Sequence, residues 1–186
     1  MNRRRACLLL VLPLGAGTVA GEFAPALGQP VGLAREAAVK AAFLYKFCSF
    51  VEYPAGVFRA PADPFVIAVY GDDGVASELE QITSGRTIDG HAIKVRRIYD
   101  GDILGTVHLL YAGGPRLGRA REIAAAARGP VLTVTDSPAA GSTGPVLYFS
   151  LEDGRVRFGA SLTAAAARNL RLSSRLLTVA LQVEGR

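Results

Sequence analysis

The chain has 186 residues, 50% of them hydrophobic and 20% charged, which indicates one globular domain with a sizeable core. Its formal net charge of +5 includes Arg3, Arg4 and Arg5 in an N-terminal segment that we predict to be removed, and about +3 remains afterwards. This modest charge argues against nucleic acid as a partner. Only Cys48 lies beyond that segment, which excludes an intramolecular disulfide in the processed chain.

A basic start followed by a short apolar run is typical of a secretory signal peptide. The run "ACLLLVLPLGAGTVA" is too short for a stable membrane span and contains Pro13, and small residues follow it in "APALG". We predict a cleaved signal peptide over residues 1–28, with Ala20 as the alternative cleavage site. The predicted domain then covers residues 33–183.

The first predicted element of this domain is an amphipathic helix in "LAREAAVKAAFLYKFCSFVEYP" (33–54), ended by its proline. Six apolar residues fall within one arc and are assigned to the core: Val39, Phe43, Leu44, Phe47, Phe50 and Val51. Tyr45 and Glu52 fall on the opposite face. Cys48 is interpreted as a half-buried small apolar residue.

Four short apolar runs predict strands at 65–71, 91–98, 107–113 and 130–136. Helices are predicted between the first two runs, with Asp72 or Asp73 as the N-cap, and between the last two, from Pro115 to Gly129. Strands that alternate with helices of this length predict a parallel α/β sandwich.

The C-terminal third has a different pattern. "VLYFSLEDGRVRFGAS" (146–161) predicts a β-hairpin around Asp153-Gly154, and two helices are predicted after it, at 162–170 and 173–183. The stretch "DSPAAGSTGP" (136–145) predicts a flexible loop.

No catalytic pattern stands out. "YGDDGVAS" follows a strand and opens a helix but lacks the glycine spacing of a dinucleotide site, so Asp72 and Asp73 are interpreted as helix caps. His91 and His108 lie in strand patterns without a metal-binding spacing, and no nucleophilic-serine motif is present. We therefore predict no catalytic residue, no metal, no cofactor and no enzymatic activity.

Arginines and serines gather near the C-terminus. Arg168, Arg171 and Arg175 lie beside Ser173 and Ser174, and guanidinium groups with hydroxyls at a helix start can bind a carboxylate or phosphate. The hypothesis is a site for a small anion. The alternative is a solvated basic face with Ser173 as a helix cap.

Three stretches resemble, in this order and spacing, the YfiR family of exported bacterial proteins: "VKAAFLYKFCSFVEYP", "VLTVTDSPAAGSTGPVLYFSLEDGRVRF" and "ARNLRLSSRLLTVA". The resemblance covers about residues 35–182. It implies a periplasmic, often dimeric α/β domain with a Rossmann-like, mostly parallel sheet. It also implies a regulator and not an enzyme. The best-understood member holds an inner-membrane diguanylate cyclase inactive by binding its periplasmic part, and an outer-membrane-associated partner lifts that repression.

The sequence departs from the family pattern at three places. "VEYP" stands where a Trp is common before the proline. The hairpin continues as "RFGAS" where the family usually has an acidic residue followed by an Asn, so Gly159 removes a carboxylate that could have paired with Arg171. The cysteines that form disulfides in the best-known member are absent.

Two functional hypotheses result. In the first, the protein restrains a membrane-bound signalling enzyme, a diguanylate cyclase, and lowers cyclic-di-GMP output and biofilm formation, with Tyr45, Tyr53 and Pro54 as the partner surface. In the second, Arg171, with its neighbouring serines, captures an anionic metabolite and feeds a sensor kinase or transport system. A homodimer and an outer-membrane-associated antagonist are further expected partners.

Overall fold

The computed structural model describes residues 31–138 and 144–185. The predicted signal peptide and residues 139–143 of the predicted loop lie outside the described residues. The helices are α1 (Val31–Cys48), α2 (Asp73–Thr83), α3 (Leu117–Ala126), α4 (Leu162–Ala167) and α5 (Ser174–Val179). The strands are β1 (Val51–Glu52), β2 (Phe65–Tyr70), β3 (Thr87–Ile88), β4 (His91–Ile98), β5 (Leu109–Ala112), β6 (Leu132–Thr135), β7 (Leu147–Glu152), β8 (Arg155–Ser161), β9 (Arg171–Leu172) and β10 (Gln182–Glu184).

Eight strands form one sheet in the order β10-β8-β7-β6-β5-β2-β4-β3, and β1 pairs with β9 in a separate two-stranded ladder. The pairs within the large sheet are parallel except β7 with β8 and β3 with β4. The predicted α/β fold class, with a mostly parallel sheet and a C-terminal hairpin, is confirmed.

Helices cover both faces of this sheet. Alternate residues of β2 point to opposite sides, so that Ile67 packs in a core with α1 and α2, while Ala68 packs in a core with α3. The α3 side is lined by small alanines, which let this helix approach the sheet closely. Because both faces are buried, the central strands are apolar along their whole length.

The aromatic face of α1 forms the centre of the larger core. Phe47 is 1% exposed, and its ring centroid lies 5.9 Å from that of Phe149 and 4.9 Å from that of Phe158. The assignment of Phe47 to the core is therefore confirmed. The assignment of Val39 was wrong, because this residue is 36% exposed. Cys48 is fully buried rather than half-buried.

The first helix is shorter than predicted. It ends at Cys48, and the following residues turn so that Val51 pairs with Leu172 in the β1–β9 ladder. The backbone groups of this segment are thus satisfied by a strand far along the chain, which helical periodicity does not reveal.

The predicted last helix (173–183) also ends early, at Val179. The residues after it form β10, which runs parallel to β8, and Leu181 N–H donates to the Phe158 carbonyl. These residues form a strand and not a further helical turn, because the strand pairs with the otherwise unpaired edge of β8.

The predicted hairpin is confirmed. Asp153 and Gly154 have φ angles of 50° and 70°, as expected of a two-residue turn between twisted strands. Gly159 lies directly across from Tyr148, and a Cβ at this position would overlap the tyrosine ring.

The helices of residues 31–138 and 144–185 include none with the length and hydrophobicity that a membrane span requires.

Candidate functional site

The strand order reverses at β2. The chain passes from β2 to β4 on one side and then crosses to β5 on the other side, and the helices that follow β2 and β5 pack in different cores, α2 with α1 and α3 on the opposite face. In open α/β sheets such a reversal creates a crevice, and ligands commonly bind there.

Two glycines bring the loops after β2 and β5 into contact. Gly71 and Gly114 have φ angles of 81° and 80°, and a Cβ on Gly114 would overlap the Gly71 carbonyl oxygen. A Cβ on Gly71 would overlap the Gly113 carbonyl oxygen in the same way. Glycine is required at both positions by close approach as well as by backbone conformation.

A buried lysine of α1 forms part of the wall of the crevice. Lys40 is 7% exposed, and its Nζ lies 2.7 Å from Glu36 Oε1 and 3.1 Å from Asp136 Oδ1. Burial alone would lower the pKa of Lys40, but the hydrogen bonds and charges of Glu36 and Asp136 outweigh it, and the pKa lies above its ordinary value. The ammonium is therefore charged at neutral pH.

Asp136 connects this lysine to the sheet. Its carboxylate accepts a hydrogen bond from the Tyr111 hydroxyl at 2.8 Å and another from the Gly114 N–H at 3.0 Å. Burial, followed by the negative charge of Asp136, raises the pKa of Tyr111 far above its ordinary value, so the phenol remains a donor. Asp136 thus joins α1, β5 and the loop after β5 through charged and polar contacts.

The space beside these groups is a cavity of about 530 Å³, which we call the switch-point crevice. Its polar lining residues are Glu36, Lys40, Asp72, Asp73 and Asp136. Asp72 is the N-cap of α2, as predicted, and accepts a hydrogen bond from the Val75 N–H.

Sequence reasoning missed this site, although one signal was present. Lys40 lies one helical turn before Leu44, on the face of α1 that carries the core residues. A lysine on an apolar helix face requires a buried partner, and Glu36 lies one further turn away. The partner Asp136 follows β6, where the predicted strand 130–136 meets the predicted loop 136–145, and nothing in the sequence paired it with Lys40.

Two of the three residues predicted to contact a partner, Tyr53 and Pro54, lie near the amino ends of the strands, away from the crevice. Tyr53 and Pro54 line two cavities, of about 530 and 520 Å³, which together we call the amino-edge groove. Tyr53 is only partly exposed, since its hydroxyl donates to the His108 carbonyl at 3.0 Å and its ring packs edge-on against Phe65. Tyr45 is partly buried beneath the Arg86 guanidinium, which lies 5.3 Å from its ring centroid.

The predicted anion-site residues are divided between different surroundings. Arg168 is buried, and its guanidinium donates to the carbonyls of Ala127 and Ala124 at the end of α3. Arg171 instead lines the amino-edge groove, directly across the β1–β9 ladder from Glu52. Glu52 of β1 is thus the residue opposite Arg171, and the ion pairs of the described residues do not include one between these two side chains.

The two serines begin a very short helix. Ser173 is the N-cap of α5 and accepts from the Leu176 N–H, and it lines the amino-edge groove. Ser174 and Arg175 are exposed on the six residues of α5. Of the predicted set, the structure brings Arg171 and Ser173 to the same groove as Tyr53 and Pro54, and it places Arg168 against α3.

Within residues 31–138 and 144–185, no group of three or more His, Cys, Asp or Glu side chains is arranged to hold a metal ion. His108 is buried, and its Nδ1 accepts a hydrogen bond from the Val66 N–H at 2.9 Å.

These features define an α/β protein with a layered, mostly parallel sheet, a polar crevice at its strand reversal and an aromatic groove near the amino ends of its strands. The chain matches the YfiR/HmsC-like family over residues 37–181 and belongs to that family. The family membership inferred from the three sequence stretches is confirmed. No curated protein matches the chain significantly.

Proposed function

We propose that the protein is a periplasmic regulatory binding protein that restrains an inner-membrane signalling enzyme, a diguanylate cyclase. It acts by contact and not by catalysis, and it lowers cyclic-di-GMP output and biofilm formation. The observation that carries this proposal is the match to the YfiR/HmsC-like family, which extends from α1 to the residue before β10. An outer-membrane-associated antagonist and a second copy of the chain are its further proposed partners.

The amino-edge groove supplies the surface for this contact. Pro54 lies between the two cavities that form the groove, and Tyr53 is held in place by its hydrogen bond to His108. A rigid aromatic residue beside a cavity is typical of the few positions that dominate protein–protein binding. Glu52 and Arg171 add a charge of each sign at the rim.

The first test is deletion of the gene in a strain that expresses the cyclase. Loss of the restraint shifts the cyclase to its active state, so cyclic-di-GMP and surface attachment rise, and the wild-type gene restores the low level. Unchanged cyclic-di-GMP after deletion would overturn the proposal.

The second test locates the surface. Pro54→Glu places a charge in the groove and is expected to fail in restoring the low level, whereas Pro61→Glu, at an exposed proline of the following loop, restores it. Thermal melts of both variants establish that they are folded. If Pro54→Glu complements as well as wild type does, the contact surface lies elsewhere on the molecule.

The alternative, a small-anion module that feeds a sensor kinase or transport system, stays a prediction. Its test is calorimetric titration with nucleotides and organic acids, in which Arg171→Ala would weaken binding at least tenfold, or about 1.4 kcal/mol. In the structure Arg171 is the residue opposite Glu52 in the β1–β9 ladder, and Arg168 is buried against the end of α3.

A further inference from the structure

A loop without regular secondary structure connects β1 to β2 and forms one wall of the amino-edge groove. This β1–β2 loop covers residues 53–64, and its residues Val57 and Phe58 line the groove. Among the described residues, the hydrogen bonds of 54–62 stay within the loop, where the Asp63 carboxylate accepts from two backbone N–H groups. The middle of the loop is therefore attached to the sheet by ring contacts and not by backbone pairing.

Phe58 makes these contacts with two histidine rings. Its ring centroid lies 3.6 Å from that of His91 and 4.6 Å from that of His108, at interplanar angles of 10° and 21°. His108 is 1% exposed, whereas Phe58 above it is only partly buried. Phe65 of β2, which is buried, also stacks on His108. Phe58 is thus the surface member of the cover over His108.

The hydrogen bonding of His108 admits only the neutral ring. Because Nδ1 accepts from the Val66 N–H at 2.9 Å, the single proton of the neutral ring is on Nε2. This Nε2 is buried without a hydrogen-bond partner among the described residues, since the Val57 carbonyl faces it but does not reach hydrogen-bond geometry. A second proton, on Nδ1, would point a donor at the Val66 N–H. A flip of the ring does not relieve this conflict, because both nitrogens then carry protons.

The surroundings of His108 also disfavour its charged form. Burial, followed by the charge of His91, lowers the pKa of His108 below its ordinary value, and Asp63 opposes this shift. Burial raises the pKa of Tyr53 well above its ordinary value, so that phenol stays neutral. The groups that face His108 from the elements around it are His91 of β4, Asp63 and Tyr53 of the β1–β2 loop, Phe65 and Val66 of β2, and the Leu132 N–H of β6.

A protonated His108 gains stability only by reaching water, and the loop provides the way out. Phe65 belongs to a central strand, whereas Phe58 lies in the loop and can leave without breaking the sheet. Gly56, two residues before Phe58, has a φ angle of 82° and open space beside it, so the backbone can turn there.

We propose that the β1–β2 loop is an acid-sensitive cover of the amino-edge groove. When His108 gains a proton, its ring turns away from Val66 and displaces Phe58, and the groove loses the wall that Val57 and Phe58 form. The groove is complete only near neutral pH. This inference rests on the proposed function only for its consequence, which is release of the restrained partner in mild acid.

NMR of the purified protein between pH 7.5 and pH 5 tests the cover. NOEs between the Phe58 ring and the two histidine rings are expected at pH 7.5 and are lost below about pH 6.5, because burial lowers the pKa of His108. The exchange protection of the Val66 amide is expected to fall roughly tenfold or more relative to that of Ser161, which donates to the Val146 carbonyl at β8. Retained NOEs at pH 5, or an equal fall at Ser161, would overturn the proposal.

Variants of the two histidines identify the group that titrates. His108→Asn keeps an acceptor for Val66 and takes up no proton in this range, so its Phe58–His91 NOEs and Val66 protection are expected to stay constant. His91→Gln is the matched control. His91 Nδ1 already donates to the Asp63 carbonyl, so protonation breaks no bond there, and the response at Val66 is expected to persist in this variant. A response that survives in His108→Asn, or is absent in His91→Gln, contradicts the proposal.

The consequence for the partner is measured separately, in cells that express the cyclase. The wild-type protein is expected to hold cyclic-di-GMP low at pH 7.5 and not at pH 5.5, while His108→Asn holds it low at both. Equal restraint by the two proteins at pH 5.5 would show that the cover does not control the contact. If gene deletion changes cyclic-di-GMP at neither pH, the proposed function fails, and the NMR result alone decides on the cover.

Discussion

Single side chains of α1 show how far helical spacing identifies buried positions. The spacing assigned Phe47 to the core and Tyr45 to the outer face, and the structure places Phe47 at 1% exposure among three phenylalanine rings. Val39 falls within the same arc but is 36% exposed. Periodicity therefore gives the direction of a side chain, and the packing of neighbouring elements decides its burial.

Phe47→Ala is expected to lower the free energy of unfolding by about 3–5 kcal/mol, because it removes a ring that packs against Phe149 and Phe158 and leaves a cavity. Tyr45→Ala is expected to cost about 1 kcal/mol, since this ring is only partly buried, between the margin of the core and the Arg86 guanidinium. Denaturant unfolding of both variants measures the difference. Equal losses would contradict the assigned faces.

The buried charge of Lys40 gives a second prediction at this scale. Lys40→Met is expected to destabilise by about 3–5 kcal/mol, because the carboxylate of Asp136, whose side chain is only 14% exposed, is left without its cation. Adding Asp136→Asn to this variant removes the uncompensated charge and is expected to recover most of the loss. Urea unfolding of the single and the double variant measures both free energies. A double variant as unstable as the single one would show that the uncompensated charge is not the cause of the loss.

At the scale of elements, long periodic segments and marked turns were predictable, and short strands were not. The four predicted strands and the hairpin at Asp153-Gly154 are present. The two-residue strands β1, β3 and β9 and the three-residue β10 are too short to show a period of two, so only their partners define them. The same reason explains the helix ends that were misplaced beside β1 and β10.

Gly159 is constrained by packing between the two strands of the hairpin, whereas the sequence drew attention to it for a different reason. The sequence indicated a missing carboxylate near Arg171, whereas the structure shows that the Tyr148 ring fills the space beside Gly159. Gly159→Ala is expected to destabilise the hairpin by about 1–3 kcal/mol through overpacking. Adding Tyr148→Val makes room and is expected to recover part of the loss in thermal melts. An unaltered melting temperature in Gly159→Ala would contradict this packing.

At the scale of the whole molecule, the sequence predicted the layered sheet but not its strand order. Alternating strands and helices require parallel pairing, yet nothing local states that β5 lies beside β2 and not beside β4. The switch-point crevice depends on that order, because Lys40, Asp72 and Asp136 come from three distant segments. For this reason the crevice was not foreseen, whereas Tyr53 and Pro54, adjacent in sequence, were selected together.

The stability of the fold is expected to depend on pH through His108. Burial, with the charge of His91 adding to it and that of Asp63 opposing it, lowers the pKa of His108 below its ordinary value of 6.5. Its Nδ1 must also stay unprotonated to accept from Val66. A lowered folded-state pKa means that the unfolded chain takes up the proton first, so this stability is present above about pH 6.5 and is lost as the pH falls towards the folded pKa.

Unfolding free energies between pH 7.5 and pH 5 measure this effect. They are expected to fall with a slope approaching about 1.4 kcal/mol per pH unit below pH 6.5. His108→Asn keeps an acceptor for Val66 but cannot be protonated in this range, and its profile is expected to be flatter. A slope that is the same in the variant would assign the dependence to other groups.

The rings that pack against α1 also fix an order of events during synthesis. Phe43 and Phe47 are made early, whereas their partners Phe149 and Phe158 follow roughly a hundred residues later. Throughout that interval these two rings lack their partner rings of β7 and β8, and exposed aromatic faces of this kind are the ones that chaperones bind and that aggregate when unprotected. A contact at the centre of the finished core is thus one that the growing chain can make only late.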